Sequence, residues 1–567
     1  MRPHVSISRV QDQTGGFLMK RFIEKPRKQI YDVIVIGGGI TGAAVAYEAA
    51  GSGLSVALVE KKDFGSGTSA VTSKLIHGGL RYLATGEFGL VRESLHERRI
   101  MENIAPNFIY PLPTVITTSR TGLKDNSWKV RIGMFLYDLL SFDRGRVRDR
   151  SKKLPGHRTL SRTEVIKMEP NVRRRGLRGA SLYYDCIMIS PERLTLAFIK
   201  SAVRYGADVA NYAEVTDFIC NEKNGRVRSV DGVTVKDLLS GRDHKIRGRA
   251  VINCAGPWAD IVLGKAMKRA ASSAIRRSEG IHIITKNLLN GHAIATMTPG
   301  GRHFFVIPWR NHSLIGTTDR DFKGTPDEYR VMRHSIEELL DEVNQSFGNG
   351  DQLVYGDVRF CYGGLRPLVT DSADSVYKTS RKYEIFDNER DGLPGVFTVE
   401  GGKYTTSRNL ARKVMKTVNE KLKWKVKPLD TAGEYLSGCE IPDMEAFVAD
   451  CKKRYPALRE HQIDYLSRNY GAEIDALMEM AAGKPELTRP LNRDGEMAAQ
   501  VLYAIRNEMA RTLCDILFRR TGLGTLGYPG SLVLRTVADI AGAELRWSDK
   551  KKREEISLAA RALAVPR

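Results

Sequence analysis

The chain has 567 residues, 42% hydrophobic and 27% charged, so at about 150 residues per domain it holds three to four domains with sizeable cores. That excludes a peptide-like or disulfide-dependent scaffold. Lys and Arg number 89 against 66 Asp and Glu, and the net charge of +23 calls for an acidic surface or substrate. Between Arg144 and Arg178 there are 13 Lys/Arg against Asp149, Glu164 and Glu169, a net of +10, although a solvated charged face accounts for such a run as well as a partner does. The 7 cysteines are scattered, without C-x-x-C or a Cys/His cluster, which predicts reduced thiols, a cytosol-facing protein and no metal site.

Residues 1–28 read as a polar, basic extension without the apolar core of a signal peptide, with Met19 as an alternative start. No charge-free apolar stretch reaches the roughly 20 residues of a spanning helix. Tyr31 to Ile36 is an apolar, β-branched run followed by glycines and a small-residue helical pattern from Ala43 to Ala50, which predicts strand, turn and helix. A second strand, Leu54 to Val59, ends on Glu60 and closes a βαβ unit. Further on, Leu194 to Tyr205 reads as a helix and Ala207 to Asn211 and Ala213 to Phe218 as extended. Arg249 to Cys254 and Val396 to Val399 read as strands, and His303 to Ile307 with Ser313 to Gly316 as an antiparallel pair. Beyond Thr431 the periodicity is helical: Met444 to Tyr455, Ile463 to Tyr470, Glu473 to Met480 and Met497 to Phe518.

Gly37-x-Gly39-x-x-Gly42 directly after the first strand has the spacing of a dinucleotide site. The first glycine allows the turn, the second lets backbone approach a pyrophosphate, the third allows close helix–strand packing, and the helix N-terminus offers N–H groups to phosphate. Glu60 stands where a carboxylate accepts from ribose hydroxyls. This pattern alone does not choose between nicotinamide and flavin.

The next run does. Gly67-Thr-Ser-Ala-Val-Thr-Ser-Lys-Leu-Ile-His-Gly-Gly-Leu-Arg-Tyr-Leu83 resembles a signature of the FAD-dependent glycerol-3-phosphate dehydrogenases. The resemblance continues through Arg131 to Asp138, Tyr183-Tyr-Asp-Cys186, Asn253-Cys-Ala-Gly-Pro-Trp258, Gly280-Ile-His-Ile283, Gly316-Thr-Thr-Asp319, Gly364-Leu-Arg-Pro367, Ser380-Arg-Lys-Tyr383 and Gly401-Gly-Lys-Tyr-Thr-Thr406. It implies an α/β fold: a Rossmann-type FAD-binding domain of the glutathione-reductase/D-amino-acid-oxidase kind, a β-rich substrate cap and a C-terminal all-helical domain. The expected plan places the FAD-binding domain in 29–110, 176–275 and 351–425, a cap segment with the basic patch in 111–175, the substrate cap in 276–350 and the helical domain in 431–567.

The activity implied is oxidation of sn-glycerol 3-phosphate to dihydroxyacetone phosphate by hydride transfer from C2 to flavin N5, with electrons passed on to membrane quinone. That chemistry needs a hydride acceptor, a proton acceptor and cations for a dianionic phosphate. Carried onto this chain, the FAD contacts expected are Gly37, Gly38, Gly39, Ile40, Thr41, Gly42, Glu60, Lys61, Thr68, Ser69, Thr72, Ser73, Lys74, Leu75, His77, Val215, Ala255, Gly256, Trp258, Gly364, Gly402, Lys403, Tyr404 and Thr405. Arg366 and Arg381, with Arg81 and Tyr82, are expected at the substrate phosphate, because guanidinium grips phosphate bidentately at every working pH. Lys403 is expected to face negative charge on reduced flavin. For the base, His282 and His77 both qualify, His282 being preferred.

Quinone as acceptor gives the basic excess a use at an anionic bilayer, with the protein bound peripherally to the inner face of the cell membrane. Trp128, Ile132, Phe135 and Leu136 form a stripe that fits either an interfacial helix or ordinary core. An oxidase releasing peroxide and a nucleic-acid-binding flavoprotein remain as alternatives, although no nucleic-acid module is present and nucleic acid is not expected as a partner. The oligomeric state, homodimer included, stays open.

Overall fold

The computed structural model describes residues 18–567 apart from 26, 84, 122, 123, 126, 225, 268–274, 299, 349–351 and 369–382. Arg381 therefore lies outside the described residues.

The first strand, β1 (Ile30–Ile36), carries Val33, Ile34 and Val35 with no exposed surface, which explains its continuous apolar run: it is covered on both faces. It pairs in parallel with β2 (Val56–Val59) on one side and with Asp243–Asn253 on the other. Asp208–Ala210 and Val396–Gly401 extend this parallel sheet at its two ends. Tyr383–Asp387 and the hairpin of Ala213–Lys223 with Arg226–Asp237 add antiparallel strands, making eight in all among the described residues. Helix α1 (Ile40–Gly51) lies between β1 and β2, and a Cβ on Gly42 would meet the Gly37 carbonyl at 1.9 Å, so only glycine lets α1 start so close to the turn.

A second sheet, of eleven strands among the described residues, lines a cleft together with the carboxyl ends of this one. Its centre is Arg276–Lys286 between His312–Gly316 and Phe360–Leu368, and it continues through His303–Trp309, Ala293–Met297, Ile109–Thr121 and Leu177–Met188 to the two-residue strand Leu75–Ile76. Leu177–Met188 and Phe360–Leu368, expected in the FAD-binding parts, thus belong to the second sheet. The chain crosses between the sheets several times.

Three further expectations need correction. Met497 to Phe518 is not one helix: Ala499–Arg506 stops, Met509 takes a left-handed φ of 58°, and a π-helical turn follows at Asp515–Arg520. The break holds Glu508 inside the protein against Arg193 and Lys200. The segment 1–28 is not all extension: Met19, Phe22 and Ile23 are buried, and Arg21 donates to Asp237 and to the Asn211 carbonyl. Within the Ser127–Leu140 helix the face turned inward is Met134 and Tyr137, while Trp128, Ile132, Phe135 and Leu139, with Phe142 beyond, are exposed by 52% to 67%. Of the basic segment, Lys152 is buried on the Pro106 and Ile109 carbonyls, Arg144 and Arg173 are half-buried, and the other Lys and Arg are exposed. No helix among the described residues is long and apolar enough to cross a membrane.

Candidate active site

A cleft of about 1090 Å³ runs between the two sheets. One end is formed by the β1–α1 turn and the end of β2. There Gly37, Gly39, Ile40 and Thr41 line it, with Glu60, Lys61, Thr68, Ser69 and Val215. The Ser69 hydroxyl accepts from the Ile40 N–H (2.9 Å) and so occupies one donor of the first turn of α1. Glu60 accepts from the N–H groups of Gly38 (2.7 Å) and Lys62 (2.7 Å), which fixes its carboxylate beside the turn. Burial, and secondarily Asp63, push the Glu60 carboxyl up. Ala255, Gly256 and Trp258 form the adjoining wall.

The sequence expectations meet three exceptions. Gly38 and Gly42 do not line the cleft: the first orients Glu60 and the second packs α1 on the turn. The side chain of Lys74 points the other way, buried 3.5 Å from Glu192 and 4.5 Å over the Trp309 ring, from a residue with left-handed φ of 56°. Thr72, Ser73, Leu75, Gly364, Gly402, Tyr404 and Thr405 all reach the cleft. Two hydroxyls of the cleft wall are already engaged: Tyr404 donates to the Pro191 carbonyl (2.6 Å) and Thr68 to that of Leu365 (2.6 Å).

The other end of the cleft is cationic. Arg81 lies 4.8 Å over the Tyr82 ring and donates to its hydroxyl (2.9 Å), while the Lys403 ammonium sits 4.0 Å over the same ring and donates to Ser94 (3.2 Å). Arg366 comes from the second sheet. Its guanidinium donates to the hydroxyl of Thr317 (2.6 Å) and the carbonyl of Thr318 (3.2 Å), with Asp319 at 3.4 Å. It lies flat across the neighbouring strand, where a Cβ on Gly280 would meet it at 1.8 Å.

The two histidines are built differently. His77 Nδ1 accepts from the Gly79 N–H (3.1 Å), so a neutral His77 carries its proton on Nε2 and is a donor toward anything bound in the cleft. Burial pushes His77 down to about 4; Asp185 opposes this, and Lys403 and Arg81 reinforce it. The loop is anchored by Asp185, which accepts from the Gly78 N–H (3.2 Å), from Tyr137 (2.7 Å) and from Arg98 (2.6 Å). His282 is 2% exposed, stacks on Tyr362 at 5.1 Å, and has Nε2 2.8 Å from the Ser73 hydroxyl, while its Nδ1 is buried without a hydrogen-bond partner among the described residues. Burial, then Arg366 and Lys74, hold this imidazole well below its ordinary range and keep it neutral.

His303, Phe305, Arg302, Thr317 and Asp319 also line this end, and sequence reasoning gave none of them a role. His303 and Phe305 alternate along a strand facing the cleft, a period-two signal present in the run but uninformative until the facing side is known.

A glycine turn at a helix N-terminus, an acid at the end of the next strand and a polar, cationic end closed by a second sheet fit FAD and define a flavin-dependent oxidoreductase. Residues 32–412 match the family of FAD-dependent oxidoreductases, and residues 429–552 match the C-terminal domain of alpha-glycerophosphate oxidase. The chain is 35% identical to glycerol-3-phosphate dehydrogenase of Synechocystis over 92% of its length and 95% of that protein. It is 32% identical to the human mitochondrial glycerol-3-phosphate dehydrogenase over 94% of its length and 73% of that protein. Among solved structures, glycerol-3-phosphate dehydrogenase of Bacillus halodurans complexed with FAD superposes with a TM-score of 0.75 at 25% identity, covering 95% of this chain and 96% of that one. The chain belongs to the FAD-dependent glycerol-3-phosphate dehydrogenase family, and its cofactor is FAD.

Proposed function

We propose that the protein oxidises sn-glycerol 3-phosphate to dihydroxyacetone phosphate at the cationic end of the cleft and passes the electrons to a membrane quinone. FAD, when bound, supplies the two-electron acceptor that takes hydride from the substrate carbon. The observation that carries the reading is His282: a buried, neutral imidazole with one nitrogen on Ser73, the other unpartnered, and Arg366 close enough to lower its pKa. A neutral His282 lining the cleft takes the C2 hydroxyl proton as hydride leaves. His77, protonated on Nε2, is the donor and orients an oxygen in the cleft rather than abstracting a proton. Arg366, with Arg81, holds the phosphate, and the carbonyls behind Arg366 keep its fork in place before substrate arrives. Lys403, fixed on Tyr82 and Ser94, would offer its positive charge to FAD in its reduced form.

The acceptor and the location rest on the Ser127–Leu140 helix. Its exposed row of Trp128, Ile132, Phe135 and Leu139 continues into Phe142 and the exposed arginines that follow, as on a helix lying in an anionic interface. Trp128, Ile132 and Leu136 of the same helix also line the cleft, so a lipid-soluble acceptor approaching along this face meets the cofactor site. The test is turnover on sn-glycerol 3-phosphate with a quinone analogue and with oxygen alone. Quinone-dependent turnover with little peroxide supports the proposal; stoichiometric peroxide without quinone makes the protein an oxidase.

A further inference from the structure

The C-terminal helices contribute nothing to the lining of the cleft, yet two of their arginines reach the segment that shapes it. Glu60, Lys61 and Lys62 line the adenosine end, and Ser66, Gly67, Thr68 and Ser69 line the path toward the helix N-terminus. Between them Asp63 turns inward and is 1% exposed. Its carboxylate accepts from Arg519 Nε (2.6 Å), from both terminal nitrogens of Arg520 (2.9 Å each) and from Asn211 (3.1 Å). The same segment is tied to the glycine turn by the Gly65 N–H, which donates to the Gly38 carbonyl (2.9 Å).

Two successive residues of an α-helix diverge by about 100°, which makes it hard for both to grip one carboxylate. Here Arg519 and Arg520 stand on the π-helical turn Asp515–Arg520, a geometry that occurs mostly as short insertions and often at functional places. Arg520 is itself anchored, donating twice to the Glu508 carbonyl (3.2 and 2.9 Å), and Arg519 donates to Asp515 (2.5 Å). A second arm of the network runs from Glu508 to Arg193 and Lys200, and from Lys200 to Glu473 (2.6 Å), without touching Asp63. Buried ion clusters of this kind contribute little net stability, because desolvation offsets the attraction, and removing one partner is strongly destabilising because a buried charge is left bare. What such a cluster does specify is register. In this protein the element held in register is the loop between the ribose-facing acid and the pyrophosphate-facing hydroxyls.

We propose that Arg519 and Arg520 are positioning residues for FAD: the C-terminal domain clamps Asp63 and thereby sets the loop that holds the adenosine half of the cofactor. Without the clamp, Asp63 has no cation beside it and must move toward water, carrying Glu60 on one side and Ser66 to Ser69 on the other. Cofactor affinity thus depends on the Arg519 and Arg520 grip on Asp63, while the reacting end of the cleft is left alone.

The experiment measures FAD release from the holoenzyme on dilution, read as the rise in flavin fluorescence, for the parent, Arg520→Gln, Asp63→Asn, the double variant and Lys200→Gln. The expected result is an increase in Kd of 10-fold or more for Arg520→Gln (about 10-fold being one well-made interaction) and no further rise when Asp63→Asn is added, since the two residues act as one unit. Lys200→Gln breaks the other arm and lowers Tm, but its FAD Kd is expected to stay within about 3-fold of the parent, because that arm does not touch Asp63. Turnover per bound flavin stays at the parental value in Lys200→Gln. Unchanged release from Arg520→Gln overturns the proposal, and so does an equal change in Lys200→Gln, which would make the effect one of general domain docking. If Arg520→Gln does not fold, Arg520→Lys, which keeps the charge and loses the fork, is read the same way.

Discussion

Ser73, in the loop just before Leu75–Ile76, and His282, on the central strand of the second sheet, meet at 2.8 Å, a hydrogen bond that joins the motif run after β2 to the substrate side. The bond engages Nε2 of His282 and fixes the ring where it lines the cleft. Replacing His282 by Ala should lower kcat about 100-fold or more with FAD retained, the usual scale for loss of a general base. Ser73→Ala should cost less, since the imidazole remains and loses only its orientation. Steady-state turnover of the flavin-loaded variants checks both, and near-normal turnover of the His282 variant would place the base elsewhere.

Arg366 should act on affinity for the phosphate. Arg366→Ala should raise KM for sn-glycerol 3-phosphate by about 10- to 100-fold, since a charge-assisted hydrogen bond contributes about 1.5–3 kcal/mol. Arg366→Lys should recover little, because an ammonium cannot reproduce the fork held by Thr317 and Thr318. An equal loss with unphosphorylated glycerol would show that Arg366 does not read the phosphate.

The half-buried histidine His77 has a pH signature. Its folded pKa of about 4 lies below the roughly 6.5 of the unfolded chain, so between these values the unfolded state binds a proton that the folded state refuses. Its contribution is present above pH 6.5 and is lost as pH falls toward 4, at no more than about 1 kcal/mol per unit. Glu102 and Glu400, raised to about 7, act with the opposite sign and mask the effect in the parent alone. The comparison is therefore between parent and His77→Asn: the Tm advantage of the parent at pH 8 should shrink steadily to pH 5. A gap independent of pH would mean that His77 titrates normally.

Much of this arrangement was legible in the sequence because it is local. The turn from β1 into α1 follows from apolar period and glycine spacing, and Glu60 from its distance along the chain. What was not legible depends on partners far away in sequence. Lys74 sits in a run of cofactor contacts, but its left-handed backbone and Glu192 take the side chain out of the cleft. The helical pattern from Met497 to Phe518 is broken by Glu508, whose partners Arg193 and Lys200 lie on another domain's helix. The outward stripe of Trp128, Ile132 and Phe135 has the composition of a core face, and only the burial of Met134 and Tyr137 shows which side is in.

That stripe sets the next prediction. Phe135→Asp combined with Leu139→Asp should weaken binding to anionic vesicles at least 10-fold, since each apolar side chain contributes about 1.5–3 kcal/mol on leaving water. Turnover with a water-soluble acceptor should be unchanged. Co-sedimentation measures the first, and binding should fall as salt is raised because the flanking arginines are exposed. Equal sedimentation of parent and variant would remove the helix from any bilayer contact.

The central claim, that the cationic end of the cleft oxidises a small phosphorylated alcohol, is tested most directly by the flavin spectrum under anaerobic conditions. Addition of sn-glycerol 3-phosphate should bleach the oxidised flavin bands fully, whereas glycerol and longer polyol phosphates should do so slowly or not at all. A flavin that stays oxidised with sn-glycerol 3-phosphate would contradict the account.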